Sequence, residues 1–265
     1  MLPYLYSLLA AFAIAYFAYR AKTLNPSGFL AAVVVGFIIF GMGGWQWAIA
    51  LLLFFISSSA LTKAFKRRKA GLNEKFSKGS QRDAGQVFGN GGLATLFAFL
   101  HFLFPAEPLL WYAFIATLAA VNADTWATEI GVLNPDPPRS IIHLDQRVEK
   151  GTSGGVSLYG SVGSFLGAAL IALSGVLFTP FPSQSPILAF LILSFAGFAG
   201  SLFDSFLGAT VQAMYLCPAC DKETERHPQH SCGQTTRLIR GWGWLNNDLV
   251  NFFCSLFSIG FVFFI

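Results

Sequence analysis

The sequence predicts an all-α, polytopic transmembrane bundle, and three observations support that class. First, 54% of the 265 residues are apolar and only 11% are charged, a composition that no soluble domain of this length needs. Second, apolar runs near the roughly 20 residues that a helix needs to cross a bilayer recur along the chain. Third, all 17 Lys and Arg residues lie in four loops that alternate with loops having none. We therefore expect one membrane domain over residues 1–265, surrounded by the lipid bilayer.

Eight spans are predicted, although the fourth is short and the fifth and seventh contain acidic residues. The alternative is a chain with six or seven spans in which the remaining segments are re-entrant. Re-entrant backbone is tolerated at membrane depth where it is buried in protein or lines a water-filled cavity. The predicted spans are 3–19, 27–43, 46–62, 90–105, 109–130, 155–178, 186–210 and 246–265.

The basic loops orient the chain. They follow the first, third, fifth and seventh predicted spans, and Glu107 is the only charge in the other loops. Because cytoplasmic loops are enriched in Lys and Arg, we expect these four loops in the cytoplasm and both termini outside. The net charge of +4 is then a topological signal and not an indication of nucleic-acid binding. No basic n-region precedes residues 3–19 and no small-residue cleavage site follows them, which predicts a retained first span. No Arg/Ser-rich transit peptide is present either, which favours a prokaryotic cell membrane; a processed organellar protein is the alternative.

The fifth span ends in polar residues, and a carboxylate inside a membrane segment is costly and functional by default. Asn122, Thr125 and Glu129 share one helical face, whereas Asp124 lies on another. Two acids on different faces of a straight helix do not both point into one site. We therefore expect either that the helix unwinds here, or that Glu129 lies at the cytoplasmic rim while Asp124 points inward.

The last two spans add further polar groups. On the seventh, Asp204, Gly208 and Gln212 follow one another at intervals of four residues and form a narrow polar strip, with Ser201 and Ser205 beside it. The eighth begins with a polar cluster in which an asparagine is also a good helix N-cap. Capping by Asn246 or Asn247 does not account for Asp248 and Asn251 further along.

Two loops contain groups suited to phosphate. Before the fourth span, Arg82, Gln86 and Asn90 form one stripe if the segment is helical, with Lys78 upstream. An interfacial amphipathic segment with an Arg82–Asp83 pair is the alternative. The sixth span is expected to begin in a run whose free N–H groups, at a helix N-terminus, favour an anion: Lys150, Gly151, Thr152, Ser153, Gly154 and Gly155.

The glycine run has a plainer interpretation as well. It is not a Walker A loop, because the spacing differs and no strand precedes it. It also fits an ordinary helix start followed by close helix packing through Gly155, Gly160, Gly163 and Gly167. Its neighbours favour the phosphate interpretation.

Separated carboxylates, amides and phosphate-binding groups on one side of the membrane indicate chemistry on phosphates. Hard oxygen ligands suit Mg²⁺, which takes one or two carboxylates together with substrate phosphates. Phosphoryl transfer mainly requires positioning and neutralisation of charge. An ion-coupled transporter also places acids inside spans and is the alternative, but it does not need the Lys78–Arg82 groups or the glycine run.

Taken together, the motifs resemble those of an integral-membrane family that includes the plant chloroplast phytyl-phosphate kinase of tocopherol synthesis. More distantly, they are similar to dolichol kinase and phosphatidate cytidylyltransferase, membrane enzymes that use CTP. The matching motifs, in order, are Arg82-Asp83-x-x-Gln86-x-x-x-Asn90, Asp124-Thr-x-Ala-x-Glu129-x-Gly131, Glu149-x-Gly-Thr-x-Gly-Gly155, Asp204-Ser-x-x-Gly208-Ala and Asn247-Asp248-x-x-Asn251.

The resemblance implies a kinase that converts an isoprenoid monophosphate (phytyl, geranylgeranyl or farnesyl phosphate) to the diphosphate with CTP. A polyprenol kinase or a CDP-lipid cytidylyltransferase is the alternative within this group. On this basis Mg²⁺ is expected at Asp124 and Asp204, with Glu129 or Asp248. Arg82, Lys150 and the amides of the glycine run are expected to neutralise the transferred group. The other expected nucleotide or phosphate ligands are Gln86, Asn90, Asn122, Thr125, Ser205, Asn247 and Asn251.

The last basic loop predicts a separate metal site within 213–243. Cys217 and Cys220 form a Cys-x2-Cys pair, and His230 and Cys232 follow. These are four soft ligands of the kind that hold structural zinc. A reducing cytoplasm disfavours a disulfide, and free thiols are the alternative. A full set of four ligands leaves no open position for catalysis, and Cys254 is expected to be an inert packing residue.

Overall fold

The computed structural model describes residues 2–66, 68, 81–181 and 185–265, and the predicted basic groups Arg67, Lys69, Lys75 and Lys78 lie outside that part. The described chain is mainly helical. A π-helical segment (Ile39–Gly43) extends the second helix, and a 3₁₀ turn (Val262–Phe264) follows the last. The α-helices are α1 (Leu2–Arg20), α2 (Pro26–Ile38), α3 (Trp45–Phe65), α4 (Ala84–Leu103), α5 (Pro108–Gly131), α6 (Leu158–Leu177), α7 (Pro186–Thr210) and α8 (Asn247–Ile259).

By length and composition, seven of the described helical segments can cross a membrane, which confirms the predicted transmembrane bundle. Only α5 is outside this set, since its last third contains polar and acidic residues. It is the central helix and packs against α3, α4, α6, α7 and α8. Every residue from Trp111 to Ala123 is buried, as expected for a helix that is apolar on all sides. The polar C-terminal segment of this central helix is therefore surrounded by neighbouring helices at one end of the bundle.

Two of the predicted span starts differ clearly from the observed helix starts, and local hydrogen bonding shows why. Helix α4 begins at Ala84 and not at 90, because Asp83 and Gln86 form a capping box. In it, Gln86 N donates to Asp83 Oδ1 over 2.9 Å, and Asp83 N donates to Gln86 Oε1 over 3.2 Å. Helix α6 begins at Leu158 and not at 155, because Gly155 and Val156 are paired in a strand and Ser157 caps the helix.

Two small antiparallel sheets that the sequence did not predict lie in two of the basic loops. The α5–α6 loop contains β1 (Arg139–Ser140), β2 (His143–Arg147) and β3 (Gly155–Val156) in the order β2-β1-β3. The α7–α8 loop contains β4 (Met214–Cys217), β5 (Lys222–Thr224) and β6 (Arg237–Arg240) in the order β5-β4-β6. Both loops are therefore ordered structures at the end of the bundle where α5 and α7 terminate.

Helices α5 and α6 approach each other closely through small residues. A Cβ atom added at Gly163 would lie 2.9 Å from Cβ of Ile130, and one at Gly167 would lie 3.0 Å from the carbonyl oxygen of Asn122. Neither position accepts a larger side chain without moving a helix. The predicted packing role thus holds for Gly163 and Gly167, whereas Gly155 lies outside the helix. This contact brings the end of α5 against the start of α6.

Candidate functional site

A polar cavity of about 590 Å³ lies at the end of the bundle that bears the basic loops. Its volume is in the range of roughly 300–1,000 Å³ that small-molecule sites occupy. Helices α3, α5 and α7 end here, and α4, α6 and α8 begin here. The predicted residues that line it are Arg82, Gln86, Asn90, Asp124, Thr125, Glu129, Lys150, Gly151, Thr152, Ser153, Gly154, Gly155, Asp204, Ser205, Asn247 and Asn251.

Acidic side chains from three elements meet in this cavity. Asp204 of α7 is 9% exposed, and its Oδ2 has no hydrogen-bond partner among the described residues. Asp124 of α5 and Glu225, which follows β5, act electrostatically on Asp204. Carboxylates gathered in a poorly solvated site repel one another unless a cation neutralises them. Their hard oxygen atoms suit a divalent cation of the Mg²⁺ type.

Glu129 is more buried than Asp124, although it lies nearer the end of α5. Helix α5 is continuous to Gly131, so it does not unwind, and Glu129 is 3% exposed whereas Asp124 is half-buried. The hydroxyl of Thr62 donates to Glu129 Oε1 over 2.8 Å. The cavity-lining residues of this segment, from Asp124 to Val132, cover an arc of about 200° around the helix. Both acids therefore reach one cavity from different faces of a straight helix.

Arg82 supplies a fixed positive charge on the opposite wall. Its backbone pairs with the α1–α2 loop, where Arg82 N donates to the carbonyl oxygen of Thr23 over 2.9 Å. Its guanidinium donates to Ser58 Oγ over 2.8 Å. Burial lowers the pKa of Arg82 to about 10, against the opposing effect of Glu129. The side chain is therefore still cationic at neutral pH.

The glycine run is not a helix N-terminus, so that part of the prediction is wrong. It forms a turn that leads into β3. Two of the five N–H groups of residues 151–155 already have carbonyl partners: Thr152 N donates to the carbonyl oxygen of Glu149 (3.1 Å) and Gly155 N to that of Thr152 (3.0 Å). The other three belong to Gly151, Ser153 and Gly154. Anion binding by this loop therefore depends on fewer amides than expected, without a helix dipole.

Contact with the end of α7 fixes the position of this run, residues 150–155, which we call the glycine loop. Gly154 has φ +86°, and a Cβ atom added there would lie 2.5 Å from Cβ of Ala209. Ser153 Oγ donates to Gln212 Oε1 over 3.0 Å. Lys150 Nζ donates to the carbonyl oxygen of Asn134 over 2.5 Å. That acceptor is uncharged, so the ammonium of Lys150 keeps its charge for an anion in the cavity.

Two predicted site residues do not line the cavity. Asn122 is fully buried: its Nδ2 donates to the carbonyl oxygen of Gly167 over 2.8 Å, and its Oδ1 accepts from Ser57 Oγ over 3.1 Å. It fastens α5 to α6 and α3, a packing role in place of the expected contact with nucleotide. Asp248 lies in the first turn of α8 with its backbone against Gly89, outside the cavity-lining residues. Its role as a metal ligand stays a prediction that this position does not support.

Asn246 explains the position of the other asparagines of α8. Its side chain accepts from Leu249 N over 3.1 Å and caps the helix. This start of the helix turns Asn247 and Asn251 toward the cavity. Capping and cavity lining, which the sequence left as alternatives for this cluster, are thus divided between different residues.

Several residues that line the cavity or hold its side chains were missed by sequence reasoning. Ser58 and Thr62 bond to Arg82 and Glu129, and their spacing of four residues within an apolar span was a signal that could have identified them. Glu225 and Arg226 also line the cavity. They belong to the Cys/His loop, and no pattern in the sequence connects that loop with the acids of α5 and α7.

The Cys/His loop brings its four predicted ligands together. One ligand atom from each of Cys217, Cys220, His230 and Cys232 lies within 4.8 Å of the others. Cys217 Sγ is 3.6 Å from Cys232 Sγ, and His230 Nδ1 is 3.3 Å from the same sulfur. Tetrahedral zinc with Zn–S bonds of about 2.3 Å requires sulfur atoms about 3.8 Å apart. The donor set and its spacing therefore fit zinc.

The environment of Cys232 favours its thiolate form. Hydrogen bonds from the backbone N–H of Gln234 and from the His230 side chain lower the pKa of Cys232 to about 6. The thiolate is the form of cysteine that binds metals. Cys254, the cysteine outside this cluster, is buried in α8 and donates to the carbonyl oxygen of Asn251 over 3.2 Å, as expected for a packing residue.

Comparison with known proteins places the chain among integral membrane proteins. The family model described as integral membrane protein DUF92 matches residues 9–259. The chain is 31% identical to Protein PGR of Arabidopsis thaliana, an alignment that covers 92% of this chain and 90% of the plant protein. It is 32% identical to an uncharacterized membrane protein of Methanocaldococcus jannaschii, over 72% of this chain and 75% of that protein. No solved structure matches the chain significantly.

Proposed function

We propose that this chain, which belongs to the integral membrane family DUF92, is a membrane-embedded kinase that transfers a phosphoryl group from a nucleoside triphosphate to an isoprenoid monophosphate. One observation supports this reaction above the others. Carboxylates of α5 and α7 face Arg82, Lys150 and the glycine loop within one cavity at the end of an apolar bundle. The motif resemblance indicates CTP as the donor and phytyl, geranylgeranyl or farnesyl phosphate as the acceptor.

The acidic cluster fits the Mg²⁺ that nucleotide-dependent phosphoryl transfer uses. Asp204 offers a buried carboxylate oxygen that has no hydrogen-bond partner in the described part of the chain, and Asp124 is its charged neighbour. These two residues would hold the ion. When bound, Mg²⁺ neutralises charge on the nucleotide phosphates. Glu129 is engaged with Thr62 and Arg82, which suits a role in holding Arg82 in place.

The protein groups divide between the two substrates. Lys150 and the amides of Gly151, Ser153 and Gly154 lie on one wall and bind the nucleotide phosphates. Arg82, with Gln86 and Asn90 of α4, lies on another and binds the acceptor phosphate. This division positions an acceptor oxygen toward the terminal phosphorus of the donor.

The reaction needs little covalent chemistry from the protein. An acceptor phosphate oxygen forms a bond to the γ-phosphorus, and the bond from that phosphorus to the β,γ-bridging oxygen breaks. The nucleoside diphosphate leaves with the electron pair. Because a phosphate monoester is already an anionic nucleophile, a general base is not required. Arg82 and Lys150 stabilise the negative charge that the transition state spreads over the transferred group.

The cavity is assigned to the cytoplasmic side of a cell membrane. It lies at the end of the bundle with the basic loops, and such loops are retained in the cytoplasm. Nucleoside triphosphates are available on that side. Both termini would then lie outside.

The Cys/His cluster is assigned to structural zinc. Zinc held by Cys217, Cys220, His230 and Cys232 would join the end of β4 to the segment after β5. That segment contains Glu225, whose Oε1 accepts from Gln212 Nε2 over 2.9 Å. The metal would thus hold a wall of the cavity without taking part in the chemistry.

An ion-coupled transporter is the second candidate, because the buried Asp204 beside Asp124 also suits a cation in transit. Incubation of the purified protein with Mg²⁺, farnesyl phosphate and CTP radiolabelled on its γ-phosphate distinguishes the two functions. A kinase forms labelled farnesyl diphosphate, and its melting temperature rises with CTP and Mg²⁺. Absence of product with every prenyl phosphate, no thermal response to nucleotide, and ion flux in proteoliposomes would instead establish a transporter.

A further inference from the structure

A second cavity, which is apolar, lies beside the polar one. It occupies about 110 Å³ between α1, α2, α3 and α4. Its lining side chains are Ala, Gly, Val, Leu, Ile and Phe except at one end, where Arg82, Gln86 and Asn90 lie. The same three residues line the polar cavity. We call this apolar cavity the α1–α4 groove; it ends on the side chains assigned to the acceptor phosphate.

The long axis of the α1–α4 groove runs along the helices, as a lipid chain does in a bilayer. It follows α1 from Ala11 to Ala18 and α3 from Ala48 to Phe55. Each of these stretches is about 10 Å long at 1.5 Å per residue, or roughly a third of the hydrocarbon thickness of a bilayer. The stretch on α1 is nearer the basic end and the stretch on α3 is nearer the opposite end. The groove therefore runs from Arg82 along the bundle and not across it.

Small residues on α1 line the groove. Ala11, Ala15 and Ala18 recur at helical spacing on the face that closes the groove, and all three are buried. Most residues on the other faces of α1 are larger and exposed, such as Phe12 and Phe17. The helix thus directs small side chains toward the bundle and mostly large ones away from it. A helix that packs tightly against its neighbours through large apolar side chains has the opposite pattern.

The polar end of the groove is prepared for an anion. The guanidinium carbon of Arg82 lies 5.5 Å and 5.4 Å from the ring centres of Phe54 and Phe55, which hold the cation over an apolar floor. Asn90 Oδ1 is buried and has no hydrogen-bond partner among the described residues. Because the oxygen and nitrogen of an amide exchange by rotation, Asn90 can instead present Nδ2 to a phosphate oxygen.

We propose that the α1–α4 groove holds the hydrocarbon chain of a single-chain isoprenoid phosphate, whose phosphate rests on Arg82, Gln86 and Asn90 and faces the polar cavity. The proposal rests on the kinase function above and adds where the acceptor binds. The positive charge of Arg82 favours a lipid with an anionic phosphate over an uncharged lipid. The small volume, about 110 Å³, leaves room for part of one hydrocarbon chain and not for two chains side by side.

Substitutions that fill the groove test the proposal through turnover. Ala15→Phe places a ring in the groove, whereas Ala13→Phe makes the same change on an exposed face of α1. We expect Ala15→Phe to lower kcat/KM for farnesyl phosphate by at least about tenfold, because the chain loses its pocket. Turnover of a five-carbon prenyl phosphate and the CTP-induced thermal shift should remain at the wild-type level. Ala13→Phe should match the wild type throughout.

Photolabelling tests the groove without turnover. Farnesyl phosphate bearing a diazirine at the chain terminus should label residues 11–18 or 48–55. The label should be lost in Ala15→Phe and retained in Ala13→Phe. If Ala15→Phe does not fold, as judged by thermal melting, Ala32→Leu fills the same groove from α2 with a smaller side chain. A label elsewhere in the chain, or equal labelling by farnesol with the same diazirine, overturns the proposal.

The two experiments fail separately for the two proposals. If labelling occurs in the groove but no prenyl phosphate is converted to a diphosphate, the groove assignment stands and the kinase function falls. If diphosphate forms and both Ala15→Phe and Ala32→Leu turn over farnesyl phosphate at the wild-type rate, the kinase function stands and the groove assignment falls.

Discussion

Gln212 donates a hydrogen bond from Nε2 to Oε1 of Glu225 over 2.9 Å. The same side chain accepts from Ser153 over 3.0 Å and is 1% exposed. One buried amide thus joins the Cys/His loop to the glycine loop just past the end of α7. This side chain therefore fixes the positions of these two cavity-lining loops relative to each other.

Replacing Gln212 should loosen both loops. Gln212→Met keeps the volume and removes both hydrogen bonds, which leaves buried polar groups without this partner at a cost of about 1–3 kcal/mol. We expect a lower melting temperature and a KM for nucleotide raised about tenfold, with a smaller change in kcat, because the phosphate-binding loop is displaced. Gln146→Met, the same change on the exposed strand β2, is the control. An unchanged nucleotide KM in Gln212→Met would contradict the positioning role.

Neutralising the acidic pair should remove activity and spare the fold. Asp124→Asn and Asp204→Asn retain shape but remove the charges that hold the cation, so we expect turnover to fall by roughly 10²–10³-fold or more. Asp204→Asn should melt at or above the wild-type temperature, since it relieves charge repulsion from Asp124 and Glu225. Product formation and thermal melting measure the two effects. Asp145→Asn on β2 is the exposed control, and full activity in Asp124→Asn would refute the cation assignment.

Arg82 should be required for the acceptor and not for the nucleotide. Arg82→Lys keeps a positive charge but loses the planar guanidinium that bonds Ser58 and lies over Phe54 and Phe55. The KM for prenyl phosphate should rise at least about tenfold, while the thermal shift caused by CTP and Mg²⁺ stays unchanged. Arg20→Lys, in the exposed last turn of α1, should behave as wild type. A loss of the CTP response in Arg82→Lys would place this residue at the nucleotide instead.

The glycine loop offers a matched pair of substitutions. Gly154 and Gly233 have nearly equal positive φ angles of 86° and 85°, but a Cβ atom would collide with Ala209 at Gly154 and would meet nothing within 4 Å at Gly233. Both alanine variants incur a backbone cost of about 1–2 kcal/mol. Gly154→Ala should destabilise the protein further and raise the nucleotide KM, because the loop must move away from α7. Equal melting temperatures and equal kinetics for the two variants would contradict the packing argument.

Zinc should be measurable in protein purified without chelators. We expect about one zinc ion per chain, and Cys217→Ser should lose the metal and lower the melting temperature. Cys254→Ala leaves the four ligands in place and should retain the metal. Metal content near zero in the wild-type protein by mass spectrometry would end the zinc assignment.

Much of the fold could be predicted from the sequence because the bilayer imposes strong rules on it. The length of the apolar runs and the one-sided distribution of Lys and Arg predicted the helices and the end of the bundle that contains the polar groups. Element boundaries were less accurate at Ala84 and Leu158, where side-chain caps and strand pairing determine the first turn. The Cys/His cluster was predictable because its ligands are close in sequence.

The roles of individual polar residues were harder to predict, because spacing along a helix does not reveal what lies opposite. Asn122 and Asp204 are both polar residues in membrane spans, yet Asn122 bonds to neighbouring helices and Asp204 faces the cavity. Glu129 lies near the end of α5, where nothing in the sequence indicated that it would be buried against Thr62 and beside Arg82. Glu225 comes from a loop far from both in the chain.

The sequence by itself determined the membrane class, the alternation of loops and the chemical types present at one end of the bundle, since these follow from local composition and solvent. The tertiary structure alone decided which polar groups share an enclosure. That outcome depends on helix approach at Gly163 and Gly167 and on two folded loops. Contacts between distant segments of a chain arise from packing: the glycine spacing predicted a close helix contact, but not which helix makes it.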